Sequence, residues 1–159
     1  MTARYEPYPA RAGGTYLLVL RAPAPLAVQV GALGLCTLPA GWLLYVGSAL
    51  SGLAGRLQRH ARSDKPLHWH IDYLLAAAPL VEAWCHVSPL RLECTWAQRV
   101  AACPGITPSA RPIGASDCAC HTHLFAAPTH TEIEAVFATL ASDWPLLRCA
   151  VQAGPTAAG

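Results

Sequence analysis

The chain has 159 residues, 53% of them hydrophobic and 13% charged, which is one domain's length with more than enough apolar material for a single core. Its formal net charge of +2 does not predict a nucleic-acid binder by itself, so a basic surface must be local if there is one. The 12 glycines and 14 prolines are scattered, which favours turns and disfavours long helices.

Residues 1–12 read as a lead-in. The start, "MTARYEPYPARAGG", lacks the apolar region of a secretory signal, and seven unevenly spaced cysteines then predict reduced thiols in a cytoplasm. "GTYLLVLRA" (14–22) predicts a strand buried on both faces, and "LAVQVG" (26–31) and "GWLLYVGSA" (41–49) predict two more. Residues 26–55 contain no Asp, Glu, Lys, Arg or His, which raises the question of a membrane span. Pro39, six glycines, Gln29, Thr37 and two serines argue against one, and "TLPAG" (37–41) reads as a turn between buried strands.

Ser51 is a candidate N-cap for a helix over 52–62, with an apolar stripe of Leu50, Leu53, Ala54, Leu57 and Ala61. Arg56, Arg59, His60 and Ser63 form the stripe beside it. "HWHIDYLLAA" (68–77) leads into another apolar stretch, and "LVEAWCHV" (80–87) predicts a strand. Ser88-Pro89 reads as an N-cap and first residue of a helix running to about Ala102, its inward stripe Leu90, Cys94, Ala97 and Ala101. Residues 104–117 are a Pro/Gly-rich loop and "CHTHLFA" (120–126) a short strand. Thr131 and Glu134 form a capping box for a last helix to about Ala141. Residues 146–159 form a C-terminal tail, with "QAGPTAAG" expected to be disordered. The sum is a single domain over 13–145 of α+β class, a small, mixed, largely antiparallel sheet flanked by helices.

Chemistry concentrates in one segment. Between Ser51 and Ile71 the only acid is Asp64, against Arg56, Arg59, His60, Arg62, Lys65, His68 and His70. Arg56 and His60, at i and i+4, share a helix face at the edge of the buried stripe and could reach a cleft beside the sheet. A guanidinium fork suits phosphate oxygens, and an imidazole exchanges protons near neutral pH. A solvated basic face would look the same. Tyr16 and Tyr45, each near a glycine, could stand side by side on neighbouring strands or be ordinary half-buried tyrosines. His68, His70 and Asp72 alternate, so extended chain would turn all three to one side, as a metal site or as hydrogen bonds fixing the loop. In "DCACHTH" (117–123), Cys118, Cys120 and His123 could ligate zinc, with Cys94 or Cys103 completing the set. The C-x-C spacing is tight and no second cysteine pair accompanies it, so buried thiols are the preferred reading and zinc is not favoured.

"GTY" (14–16), "YVG" (45–47), then Arg56 and His60 on the following helix, together resemble the GIY-YIG nucleases. The closer resemblance is to the Uri-like branch, the domain-of-unknown-function 123 group, through "GTYLL", "AGWLLYVGSA", "RLQRH", "HWHIDYLL", "LEC" and "SDCACHTHLF", in order over roughly residues 13–127. Thr15 and Val46 replace the family's isoleucines with β-branched residues that suit a strand. The resemblance implies Glu93 as the ligand of one Mg²⁺ or Mn²⁺. On the predicted helix Glu93 sits in or beside the inward stripe, where a carboxylate is costly unless paired or metal-bound, although a first-turn glutamate also suits the helix dipole. Glu82 is the rival ligand.

The expectation is therefore a divalent-metal-dependent endonuclease. Arg56 would clamp the phosphate. Tyr16, hydrogen-bonded to Tyr45 or His60, would orient or deprotonate water, with His60 as relay or base. Arg59, Arg62, Lys65, His68, Trp69 and His70 would extend the nucleic-acid footprint, and Trp69 could stack on an unpaired base of single-stranded or distorted substrate. The resemblance points to DNA; no membrane role is expected. A non-catalytic nucleic-acid-binding module and a zinc-stabilised or thiol-sensing protein are the alternatives.

Overall fold

A computed structural model describes residues 11–150. Within these residues eight strands run in chain order: β1 (Gly14–Ala22), β2 (Leu26–Gln29), β3 (Leu35–Leu38), β4 (Gly41–Ala49), β5 (Leu80–Val87), β6 (Thr107–Pro108), β7 (Leu124–Ala127) and β8 (Leu147–Ala150). The helices are α1 (Leu53–Ala61) after β4, α2 (His70–Ala77) before β5, α3 (Glu93–Ala101) after it, and α4 (His130–Ala141) after β7. Six strands form one sheet in the order β6-β7-β4-β1-β5-β8, and every pairing in it is antiparallel. The fold is α+β.

The continuous apolar run of β1 follows from its central place in a sheet covered on both faces. Tyr16, Leu18 and Leu20 face one core with Leu53 and Leu57 of α1 and Ile71 and Leu74 of α2. Leu17 and Val19 face the other, with Trp96 and Val100 of α3 and Ile133, Val136 and Leu140 of α4.

Several boundaries differ from the sequence expectation. β2 pairs with β3 in a separate two-stranded hairpin, so the uncharged run 26–55 folds into three strands and the start of α1. No helix among the described residues is long and apolar enough to cross a membrane. α1 begins after Gly52 with no side-chain cap from Ser51, and His60 belongs to its buried face. Ser88 Oγ instead accepts from the Leu90 N–H at 3.1 Å, closing a local turn, and α3 starts only at Glu93. That delay turns the helix: Trp96, Ala97 and Val100 point inward while Leu90 is 63% exposed.

The capping box of α4 is Thr129 with Glu132, two residues before the expected pair. β6 adds a short strand inside the expected loop, and β7 starts at Leu124 rather than at residue 120. β8 recruits part of the expected tail into the sheet beside β5. The rest of that tail, with "QAGPTAAG", and most of the lead-in lie outside the described residues.

Candidate active site

Each of the two tyrosines lies against a glycine for a steric reason. Gly47 of β4 stands opposite Tyr16 of β1 in the strand register. A Cβ on Gly47 would come within 2.6 Å of the Tyr16 phenol carbon and oxygen, so only glycine lets that ring lie across β4. Gly114, at φ +70°, leaves room for the Tyr45 ring in the same way, with a Cβ there meeting Tyr45 at 2.7 Å. The Tyr16 ring turned over Gly47 reaches α1, where its Oη lies 2.7 Å from His60 Nε2.

Burial controls the protonation of this pair. It drives the His60 imidazole down to about 3, helped by the positive charges of Lys65 and Arg56, so His60 is neutral at pH 7. It drives the Tyr16 phenol up to about 12 although Arg56 pulls the other way, and it raises Tyr45 well above the usual phenol value. The neighbours therefore do not convert Tyr16 into a phenolate. His60 Nδ1 is buried with no hydrogen-bond partner among the described residues.

Tyr16, Tyr45, Arg56, His60 and Glu93 all line one cavity of about 440 Å³. Glu93 arrives there from the far side of the sheet, because the body of α3 packs in the opposite core. β7 pairs with β4 only as far as Tyr45, which leaves Gly47–Ala49 without a strand neighbour on that edge among the described residues. Standing in the first turn of α3, Glu93 reaches past this open edge into the cavity. Its rival, Glu82, is held elsewhere by Arg148, whose Nε donates to Oε1 at 2.8 Å, and by the Trp84 indole.

A family model described as "Domain of unknown function DUF123" matches residues 15–144. The chain belongs to the DUF123 family. No curated protein and no solved structure matches it. The matched segment of this DUF123 domain contains every residue of the cavity.

The basic segment divides by role. Arg56 lines the cavity and donates to the Ser48 carbonyl at 3.2 Å. Arg59 does not line it: its two terminal nitrogens each donate to Asp72 at 2.8 Å, a bidentate pair with a carboxylate that is wholly buried. Burial raises the Asp72 carboxyl, but the Arg59 fork and the backbone N–H groups of His68 and Trp69 outweigh it and hold it at about 2. Asp72 thereby caps α2, which is why "HWHIDY" bends into a helix at His70 instead of running extended. Lys65 Nζ donates to the carbonyls of Arg59 and His60, closing the C-terminal end of α1, and Arg62 donates to the Asp64 carbonyl.

Both Arg56 and Arg59 guanidinium groups lie over the Trp69 ring, 4.4 and 4.2 Å from its centroid. The surface expected to stack on a base is thus occupied by the protein's own cations. His68, Trp69 and His70 do line the cavity. His70 Nδ1 accepts from the Gly114 N–H at 3.1 Å, which puts the proton of neutral His70 on Nε2.

Sequence reasoning missed Ser48, Arg91, Ser116 and Asp117, which share the cavity. Asp117 means that Glu93 is not a lone carboxylate. Its position directly before the Cys118–His123 cluster was the available signal. That cluster gains a fourth member from α3: the donor atoms of Cys94, Cys118, Cys120 and His123 all lie within 4.8 Å of one another. Burial and the neighbouring thiols push Cys94 up to about 12. Cys103 stands apart, its thiol donating to the Arg99 carbonyl.

Proposed function

We propose that this DUF123 domain is a metal-dependent nuclease of the GIY-YIG type that hydrolyses nucleic-acid phosphodiester bonds, with DNA as substrate. The observation that carries the reading is the Tyr16–His60 hydrogen bond within the cavity that Arg56 and Glu93 also line.

A phosphodiester needs a positive clamp, an aligned water and a path for the water's proton. Arg56 supplies permanent charge at the cavity wall, and the His70 Nε2–H adds a neutral donor. Tyr16 stays protonated and acts as a two-sided contact. Its O–H donates to His60 Nε2, which leaves oxygen lone pairs to orient a water. As the water attacks phosphorus, its proton moves to Tyr16 Oη and the phenol proton moves to His60 Nε2, so the phenol is regenerated.

A proton on His60 is opposed by burial and by the charges of Lys65 and Arg56. Burial is the larger of these effects; a phosphate in the cavity would offset the two cations and so raise the basicity of His60. Glu93 and Asp117 offer hard oxygen donors in the same cavity, a set that fits Mg²⁺ or Mn²⁺ retaining most of its water. Such an ion, when bound, stabilises negative charge on the leaving oxygen.

The direct test is incubation of the full chain with a panel of single-stranded, duplex, mismatched and flapped DNA, with matched RNA, adding or omitting Mg²⁺ or Mn²⁺. Cleavage that requires the added ion is expected. Absence of cleavage on every substrate with either metal refutes the enzyme reading and leaves a nucleic-acid-binding module.

A further inference from the structure

We propose that Cys94, Cys118, Cys120 and His123 form a mononuclear Zn²⁺ site that staples the start of α3 to the loop before β7 and so fixes the two cavity carboxylates, Glu93 and Asp117. The metal site itself is argued independently of the nuclease reading; only the consequence for the carboxylates draws on it.

The donors meet the geometric demand of one ion. A tetrahedron with a Zn–S bond of about 2.3 Å sets neighbouring donors about 3.8 Å apart. Here Cys118 Sγ lies 3.5 Å and Cys94 Sγ 4.0 Å from His123 Nε2, and no pair of donors in the set exceeds 4.8 Å. A multi-iron cluster spreads its thiolates over several metals and needs a wider cage. The ligands come from two elements, Cys94 in the first turn of α3 and C-x-C-x-x-H in the loop that enters β7. A site of this kind closes a loop between distant segments, which is where a metal stabilises a fold most.

A second observation points to the same ligand. His123 is fully buried, and its Nε2 faces the sulfurs while its Nδ1 has no hydrogen-bond partner among the described residues. That Nδ1 lies 3.9 Å from Glu93 Oε2. With Nε2 on a metal, the proton sits on Nδ1 and faces the carboxylate, the arrangement in which a metal-bound histidine is oriented by an acid. On binding, the three thiols release their protons to solvent, and the resulting thiolates leave the site with one net negative charge on the ion and its ligands. Glu93 immediately precedes Cys94, and Asp117 immediately precedes Cys118. Both cavity carboxylates are therefore tethered by one peptide unit to a ligand.

The test is elemental analysis of the full chain purified without chelator, followed by cobalt exchange. One zinc per chain is expected, with thiolate-to-cobalt charge transfer and the strong d–d bands of a tetrahedral centre after exchange. Cys118→Ser and Cys94→Ser should lower bound zinc at limiting free metal by at least about tenfold, whereas Cys36→Ser, a buried position on β3, should keep it. If the ligand variants do not fold, the parent's stoichiometry and cobalt spectrum decide alone. Folded protein that holds less than about a tenth of an equivalent of zinc and gives no tetrahedral cobalt spectrum overturns the proposal. Iron with inorganic sulfide, or zinc lost equally from Cys36→Ser, overturns it as well. None of these readouts uses nucleic acid, so failure here and failure of the nuclease reading are distinguishable.

Discussion

Tyr16 and His60, 44 positions apart, meet at 2.7 Å because Gly47 leaves the space for the phenol to lie across β4. The contact joins the central strand to α1 and couples the proton-carrying groups of the cavity. Tyr16→Phe removes the hydroxyl and leaves a second imidazole nitrogen of His60 without a partner in a buried site. Cleavage should fall by about 10²–10⁴-fold, with a stability loss of about 1–3 kcal/mol. Single-turnover rates and urea unfolding measure the two effects. A variant that cuts at the parent's rate removes Tyr16 from the reaction.

Gly47→Ala tests the space itself. The added methyl would sit 2.6 Å from the phenol carbon and oxygen of the buried Tyr16, so the ring must rotate away from His60. The variant should lose cleavage about as severely as Tyr16→Phe and lose about 1–3 kcal/mol of stability. Ala at Gly55, where no described residue lies within 4 Å of the new carbon, should be harmless by both measures.

Acid should unfold the protein in a defined window. In the unfolded chain a histidine takes its proton near pH 6.5. His60 in the fold takes it only at about 3. Between those values the unfolded state binds more protons, so stability is complete above about 6.5 and is lost as pH falls toward 3. The His60 contribution has a slope approaching 1.4 kcal/mol per pH unit. Asp72, held at about 2, adds a loss of the same sign below its unfolded value near 4. His60→Gln keeps a polar partner for Tyr16 and does not titrate. Its urea midpoint should change less between pH 6.5 and 4.5 than the parent's; equal slopes would contradict the buried neutral imidazole.

Strands β1, β4 and β5 and four of the cavity residues were legible because their signals are local: the three strands are runs dominated by apolar residues, and Tyr16, Tyr45, Arg56 and His60 sit in short motifs that strand register and helix pitch align. The roles of Arg59, Trp69 and Asp72 were not legible. Their partners are set by how the 62–69 loop folds back, which no periodicity encodes, so the Arg59 charge, which read as part of a nucleic-acid footprint, is paired with Asp72 within the protein. Glu93 was placed on a helix of the right residue type but the wrong phase, since Ser88-Pro89 makes a turn and not a cap. The fourth member of the cysteine–histidine cluster was one of two candidates until α3 packed against the loop before β7.

The Arg59–Asp72 pair predicts an asymmetry. Asp72 is fully buried, whereas Arg59 keeps 23% of its side chain exposed. Arg59→Leu strands a buried carboxylate, and about 3 kcal/mol should be lost. Asp72→Asn leaves a guanidinium that water can reach and an amide oxygen that still accepts from the His68 or Trp69 N–H, so the loss should be nearer 1–2 kcal/mol. Chemical denaturation at pH 7 gives the order, and a larger loss in Asp72→Asn would refute the assignment of burial cost to the carboxylate.

A variant at Arg56 distinguishes the proposed catalysis from binding alone. Its guanidinium is one of several cations near the cavity, so its loss should weaken the ground-state hold on a polyanion only modestly, by less than about tenfold in Kd. Charge on the phosphate grows as water attacks, and Arg56 lies in the cavity beside Tyr16 where that charge would develop. Removal of a donor aimed at developing charge costs about 10²–10³-fold in rate. Arg56→Ala should therefore show an affinity close to the parent's by fluorescence anisotropy without added divalent ion, together with a collapse of single-turnover cleavage in Mn²⁺. The Trp69 ring, covered in the parent by Arg56 and Arg59, loses one of its two cations in this variant, and its emission should change. A matched, proportionate loss of binding and cleavage would make Arg56 a ground-state contact and return the phosphate clamp to Arg91 or His70.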